Sequence, residues 1–478
     1  MAHVDNSRMR IQFLLFVQIF ISCIDGEPTL RIRLNQKGFK DFGLVLKNAL
    51  QNKVKLLKLP SMTVSFGSGT ADIKNLKMNS FKSPDMVISP IAPNGIMFSG
   101  SGSSISITGS WNVAYRFLWT MHFSGDLSLE ISDAKPFMRI NLLSKQGKPQ
   151  IYVEECQMKI GYLNLNLYGG LGAWIVNHFT SGVQDNIKNS LQKEVCKHVQ
   201  DNVQTVNKWL WLPHEQILVD NIYFNQHLLD NPKVTENFLQ LDFHAYLSFG
   251  KSKCNLQSKK INDRQTGSNH MLTTWLGEPV INCYLKTRYE KNNSHVYIAN
   301  SNQFRELFNE NCTGTKNCVR KVNNPNMNFK HPVDLDIYLI KAPFLYAAKN
   351  GFDLKTSMKI VFYQSPRKSN SLKLAELTIQ TKSSIKFAVS DGKIHFFTEK
   401  MTATISESND LKVENLKKTI LDASTDVAKY ALQNLQLLGF VDNILYRGPS
   451  QLKFSKNAVF TEINKFIRAD MDVTISDI

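Results

Sequence analysis

Apolar residues recur along this chain with two alternating periods. Phe39, Phe42, Leu46, Leu50, Val54 and Leu57 are spaced by threes and fours, which places them on one face of a helix. Lys37, Lys40, Lys47, Lys53 and Lys55 fall largely elsewhere, and Pro60 ends the segment. A second stripe is longer: Ile175, Phe179, Val183, Ile187, Leu191, Val195, Val199 and Val203 recur every four residues. That period overshoots the 3.6-residue turn, so the stripe winds slowly around its helix, as on a helix wrapping a curved surface. Between the helices, Ser103–Thr108 and Asp126–Ile131 alternate polar and apolar side chains, the signature of half-buried strands. Pro93-Asn94-Gly95 punctuates them as a turn.

The second half echoes the first. A short helix is expected through Phe304, Leu307 and Phe308, strands near Val333–Ile340, Leu354–Tyr363, Ile385–Val389 and Lys393–Phe397, and a last helix over Val413–Leu437. Helix, strands, helix, twice over, suggests internal duplication. Residues 251–282, rich in Lys, Ser and Asn, read as an exposed insertion between the halves. The expected fold class is α+β: antiparallel sheet covered by long helices, in about two domains, since 478 residues exceed one ordinary core.

Composition narrows the function. A formal net charge of +17 favours anionic partners. The charge is spread evenly: residues 27–212 hold 21 basic and 12 acidic side chains, residues 213–478 hold 34 and 26. Arg8 and Arg10 precede an apolar run, Ile11–Ile21, that is too short to span a bilayer, so residues 1–26 are expected to be a signal peptide and the protein to be secreted. Cys23 falls in that peptide. Cys156, Cys196, Cys254, Cys283, Cys312 and Cys318 remain, an even number that suggests disulfides; no spacing is C-x-x-C, so a metal site is not expected. Sequons at Asn292 and Asn311 would suit glycosylation on the secretory route. Enzyme signals are poor. His214-Glu215 lacks the second histidine of a zinc motif, no nucleophile elbow is present, and Gly169-Gly170-Leu171-Gly172 lacks a phosphate-binding lysine. No nucleic-acid-binding motif accompanies the charge.

Several segments resemble the family of bactericidal/permeability-increasing protein and lipopolysaccharide-binding protein. Leu30–Gly38 resembles its mature start, where a short strand leads into a long helix, and Lys58-Leu59-Pro60 resembles the end of that helix. Ile107-Thr108-Gly109-Ser110-Trp111 resembles a family strand, and Gly172-Ala173-Trp174-Ile175 the start of its second long helix. The resemblance implies a boomerang of two tandem barrels joined by a central sheet, each barrel a twisted antiparallel sheet wrapped on helices around an apolar lipid pocket. The domains would then be a signal peptide (1–26), an N-terminal barrel (27–212), a central sheet with an inserted linker (213–282) and a C-terminal barrel (283–478). It also implies a Cys156–Cys196 disulfide. For the other four cysteines, Cys254–Cys283 and Cys312–Cys318 are the local pairing, with two other pairings open.

On this resemblance Phe39, Phe42, Leu46 and Leu50, with Ile175, Phe179 and Val183, are expected to line a phospholipid pocket. Lys53, Lys55, Lys58, Lys74, Lys77, Arg116 and Trp119 are expected to meet lipopolysaccharide or an anionic membrane. After Trp111, however, the family's basic run becomes Asn112-Val113-Ala114-Tyr115-Arg116, leaving Arg116 alone beside Phe117 and Trp119. The expected function is non-enzymatic binding of phospholipid and lipopolysaccharide in antibacterial defence, with no cofactor beyond bound phospholipid. The alternative is an extracellular lipid carrier with no endotoxin preference.

Overall fold

A computed structural model describes residues 27–475, apart from residues 54–60, 170–179, 211–214, 218–220, 255–260, 262–267, 300–332, 409–427 and 429–451 and a few isolated positions. The expected signal peptide, the helices at 304–308 and 413–437, Cys312, Cys318 and both sequon asparagines lie outside the described residues.

The chain enters on β1 (Leu30–Asn35) and passes directly into α1 (Gln36–Lys53). A seven-stranded antiparallel sheet follows, made of β2 (Met62–Phe66), β3 (Gly69–Lys82), β4 (Asp85–Ile91), β5 (Gly95–Ser101), β6 (Ser103–Arg116), β7 (Thr120–Lys145) and β8 (Lys148–Tyr168). The strands expected at 103–108 and 126–131 are segments of the much longer β6 and β7. Alternation continues past the predicted ends: Ile107, Trp111 and Val113 on β6, Leu127, Leu129 and Ile131 on β7, and Leu163, Leu165 and Leu167 on β8 all point into one core. Helix α2 (Thr180–Leu210) closes that core by seating Ile187 and Leu191 of the four-residue stripe against the sheet. A sheet of such long strands has to twist, and curling around a helix is how it buries one face while leaving the other in water.

A second sheet is central. It contains β9 (Glu215–Ile217), β10 (Tyr223–Leu228), β11 (Lys233–Val234), β12 (Phe238–Phe249), β13 (Ser252–Cys254) and β14 (Leu272–Gly277), and is completed by β1 from the start of the chain. After it comes α3 (Glu278–Glu290), then a third, five-stranded sheet of β15 (His295–Ile298), β16 (Val333–Ala348), β17 (Gly351–Gln364), β18 (Lys373–Ser390) and β19 (Lys393–Ser408). Near the C-terminus β20 (Leu452–Phe454) pairs with β23 (Val473–Ile475), while β21 (Val459–Ile463) and β22 (Phe466–Met471) return to the central sheet beside β14. The central sheet thus takes strands from both ends of the chain, not only from residues 213–282.

The two faces of the central sheet differ. Leu30, Phe243, Leu276, Ile467 and Met471 face one large core, shared with Val280, Ile281 and Leu285 of α3 and the inner face of the C-terminal sheet. The opposite face carries Arg31, Arg33, Trp275, Arg468 and Asp470. Trp275 is wholly buried, with the Arg33 and Arg468 guanidinium carbons 4.8 and 5.5 Å from its ring centre. Ile261 and Phe466 complete this small cluster.

The reading of 251–282 as an exposed insertion is corrected from Leu272 onward. Those residues form an inner strand and the start of a buried helix. Polar composition upstream, in Lys251–His270, masks the change. The local signal is nonetheless present: Gly277 precedes Glu278 and Pro279, a helix start, and Val280, Ile281, Tyr284 and Leu285 fall on one face.

Candidate lipid-binding site

Helix α1 is the element on which the expected pocket rests, and its apolar stripe divides between two cores. Phe39 is buried with Ile96, Ile140, Leu142 and Val234 under the N-terminal sheet. Phe42, one turn on, packs against the large central core instead. Leu46 and Leu50 are half-buried. The helix lies close to β4 because Gly43 has no side chain: a Cβ there would sit 2.7 Å from the Met86 carbonyl oxygen. Lys47 bonds Asp85 across the same junction at 2.5 Å, and Gln51 donates to the Phe81 carbonyl while accepting from the Ser83 N–H.

Between α1 and β4 lies an open cleft of about 890 Å³. Phe39, Leu44, Met86, Val87, Ile88 and Pro90 supply the apolar part of its lining, and polar residues, Lys37, Lys40 and Glu236 among them, supply the rest. Leu44 and Val87 are 57 and 55% exposed there, large apolar side chains left in water on facing elements. A cleft of this volume is in the range of small-molecule sites, with a lining more polar than such sites usually have. Of Phe39, Phe42, Leu46 and Leu50, the expected lipid contacts whose side chains are described, Phe39 alone lines it. Leu44 was missed because it falls off the three-four stripe; such stripes report what is buried in protein, not what is kept for a ligand. Ile175 and Phe179 lie outside the described residues, and Val183 belongs to α2 with its side chain outside them.

The residues expected at an anionic surface are not gathered in one patch. Arg116 ends β6, and the β6–β7 turn presents Leu118 and Trp119, 78 and 67% exposed. Lys74 and Lys77 are exposed on β3, but their register partners are Ser110 and Thr108. Six and eight residues of strand therefore separate them from Arg116, about 20 and 27 Å. Lys74 also pairs with Asp72 at 3.2 Å, and Asp72, hydrogen-bonded by Thr63 and by Lys74, has its carboxyl held below the usual range. Lys53 is the last residue of α1, with its side chain outside the described residues, where Lys55 and Lys58 also fall.

Among the described residues two disulfides are formed. Cys156–Cys196 joins β8 to α2, and Cys254–Cys283 joins β13 to α3. Beside the first, the Asn207 carboxamide accepts from the Ile151 N–H at 2.7 Å and donates to its carbonyl at 2.9 Å, satisfying a peptide on the free edge of β8. Among the described residues no cluster of His, Cys, Asp and Glu could hold a metal ion, and no helix is long and apolar enough to cross a membrane.

Comparison with known proteins places this geometry. Residues 38–206 match the model of the LBP / BPI / CETP family, N-terminal domain. The chain is 26% identical over 205 residues to bactericidal permeability-increasing protein of Sebastes schlegelii, covering 41% of this chain and 42% of that one. It is 23% identical over 230 residues to lipopolysaccharide-binding protein of Homo sapiens, 46 and 47% of the two chains. Cholesteryl ester transfer protein of Cricetulus griseus is 20% identical over 367 residues, 71 and 74%. The alignments to the first two relatives span less than half of their lengths. A crystal structure of lipopolysaccharide binding protein superposes with a TM-score of 0.56 at 17% identity, over 94% of this chain and 99% of that one, so the fold is shared along almost the whole chain. Residues 38–206 thus carry the N-terminal domain of the LBP / BPI / CETP family, and the chain is a distant homologue of bactericidal permeability-increasing, lipopolysaccharide-binding and cholesteryl ester transfer proteins.

Proposed function

We propose that this protein is secreted and binds phosphate-bearing lipid, bacterial lipopolysaccharide included, as part of antibacterial defence. The observation that carries the reading is the β6–β7 turn. Arg116 stands there beside exposed Leu118 and Trp119 at the end of a long, rigid hairpin. An indole and a leucine held in water are costly unless they enter an interface, and an adjacent guanidinium fits a phosphate with paired N–H donors. The α1–β4 cleft would then take acyl chain, whose transfer from water gains about 0.8 kcal/mol per buried CH₂. Two disulfides suit an oxidising, extracellular setting. The two tandem barrels would form the boomerang of the family, with domains at 27–212, 213–282 and 283–478.

Arg116→Glu combined with Trp119→Ser tests the turn. Binding to lipopolysaccharide and to anionic vesicles is expected to fall roughly tenfold or more, since charge and interfacial anchor are lost together, with melting unchanged. Undiminished binding sinks the assignment. One observation favours the second reading, a lipid carrier without endotoxin preference: the even division of positive charge, net +9 over 27–212 and +8 over 213–478. A carrier would keep binding zwitterionic vesicles as well as anionic ones, and the turn variant would then change little.

A further inference from the structure

The outer face of the C-terminal sheet contains a second cationic cleft, at an irregularity in β16. Pairing of β16 with β17 slips between Leu339 and Lys341 and again between Lys341 and Phe344, where Pro343 has no N–H to give the ladder. The slip opens a cleft of about 430 Å³ lined by Lys341, Phe344, Lys355, Lys382, Thr402 and Thr404, while Thr356 and Thr381, register partners with hydroxyls 2.5 Å apart, turn their side chains to the inner face beneath it.

The charges in it are only partly compensated. Lys355 and Lys382 are direct cross-strand partners, an arrangement that destabilises a sheet. Asp353 takes up Lys382 alone, at 2.9 Å. Lys355 meets only the Tyr346 ring, 4.7 Å from its centre, and Lys341 makes no ion pair among the described residues. Neighbouring lysines on the same sheet are paired: Lys359 and Lys373 with Glu376, Lys386 with Glu399. Beside the free ammonium groups Phe344 is 48% exposed.

We propose that this cleft docks an anionic phospholipid membrane, independently of the N-terminal turn. The headgroup phosphate would sit between Lys341, Lys355 and Lys382 and relieve the opposed charges, while Phe344 enters the interface.

The test uses the full-length mature protein with the N-terminal turn silenced by Arg116→Glu and Trp119→Ser. Co-sedimentation is measured with vesicles of equal phosphatidylglycerol and phosphatidylcholine, and with phosphatidylcholine alone, at low and high salt. The silenced protein is expected to retain salt-sensitive binding to the anionic vesicles. Adding Lys341→Gln and Lys355→Gln is expected to lower that binding roughly tenfold, with melting unchanged or raised, because a like-charge pair is removed. Lys341→Arg with Lys355→Arg is expected to keep it. The proposal is overturned if the silenced protein already fails to bind, if the glutamine pair binds as well as its parent, or if the arginine pair loses binding too.

Discussion

Asp472 shows how single side chains hold distant parts of this chain together. Its carboxylate accepts from Lys37 of α1 at 2.7 Å, from the Met271 N–H at 2.8 Å and from the Asn457 amide at 3.1 Å. Burial alone would push its pKa up; the bonds from Lys37, Met271 and Asn457 outweigh that and hold it below the usual carboxylate value. A depressed folded pKa means that the stabilisation is complete above the unfolded value, about 3.9, and is lost as pH falls through the lower folded value. Asp472→Asn is therefore expected to destabilise by about 1–3 kcal/mol near neutral pH, and the gap from the native protein to narrow only below about pH 4. Denaturant melts across pH check this; a gap that stays constant down to pH 2 contradicts it. None of these contacts was legible in the sequence, because the partners of Asp472 lie 15 to more than 400 residues away. Cys156 and Cys196 were legible, through the resemblance, and so was Phe39 as a core residue of α1.

At the scale of elements, periodicity identified α1, α2, segments of β6 and β7 in the N-terminal sheet and of β16 to β19 in the C-terminal one, and passed over β3 and β8. It failed where the local environment is not amphipathic. Helix α3 is buried on most sides, so its stripe is blurred by Asn282 and Thr287, both buried and hydrogen-bonded. Helix α2 has the converse problem. Ile187 is fully buried, but Leu191, Val195, Val199 and Val203 are only half-buried, so the described part of the stripe gives the C-terminal half of this 31-residue helix little core to fix it. The Cys156–Cys196 bridge and the Asn207–Ile151 pair do part of that work by tying α2 to β8. The bridge closes a loop of 40 residues, for which the chain-entropy estimate is about 3–4 kcal/mol. Cys196→Ser is expected to lower the stability of the N-terminal sheet and α2 by about that amount, and hydrogen exchange should accelerate first along α2 and β8. Exchange that rises uniformly, or not at all, would show that the bridge is dispensable to the helix.

For the whole molecule, the sequence pattern predicted helix-covered antiparallel sheet, but not how the sheets are joined. The central sheet brings β1 between β12 and β14 and sets β22 on the far side of β14, pairings that bridge about 190 residues or more in sequence. No local period encodes such register. The same gap explains the expected sites. Helical stripes marked residues that bury against protein, and so found Phe39 while missing Leu44, Val87 and Leu118, whose exposure is visible only in three dimensions. Basic residues near in sequence proved to be spread along β3 and β6, and the cleft at Lys341 and Lys355 depends on a strand slip that only the register reveals. What unites these features is a partly apolar cleft, a turn that sets Arg116 beside exposed Leu118 and Trp119, and a lysine-lined cleft, on a fold shared with lipopolysaccharide binding protein. The most direct measurement is binding of the mature protein to immobilised lipopolysaccharide and to phosphatidylcholine vesicles, at physiological and at high salt. The account predicts preferential, salt-weakened binding to lipopolysaccharide; equal, salt-independent binding to both would contradict it and leave a neutral lipid carrier.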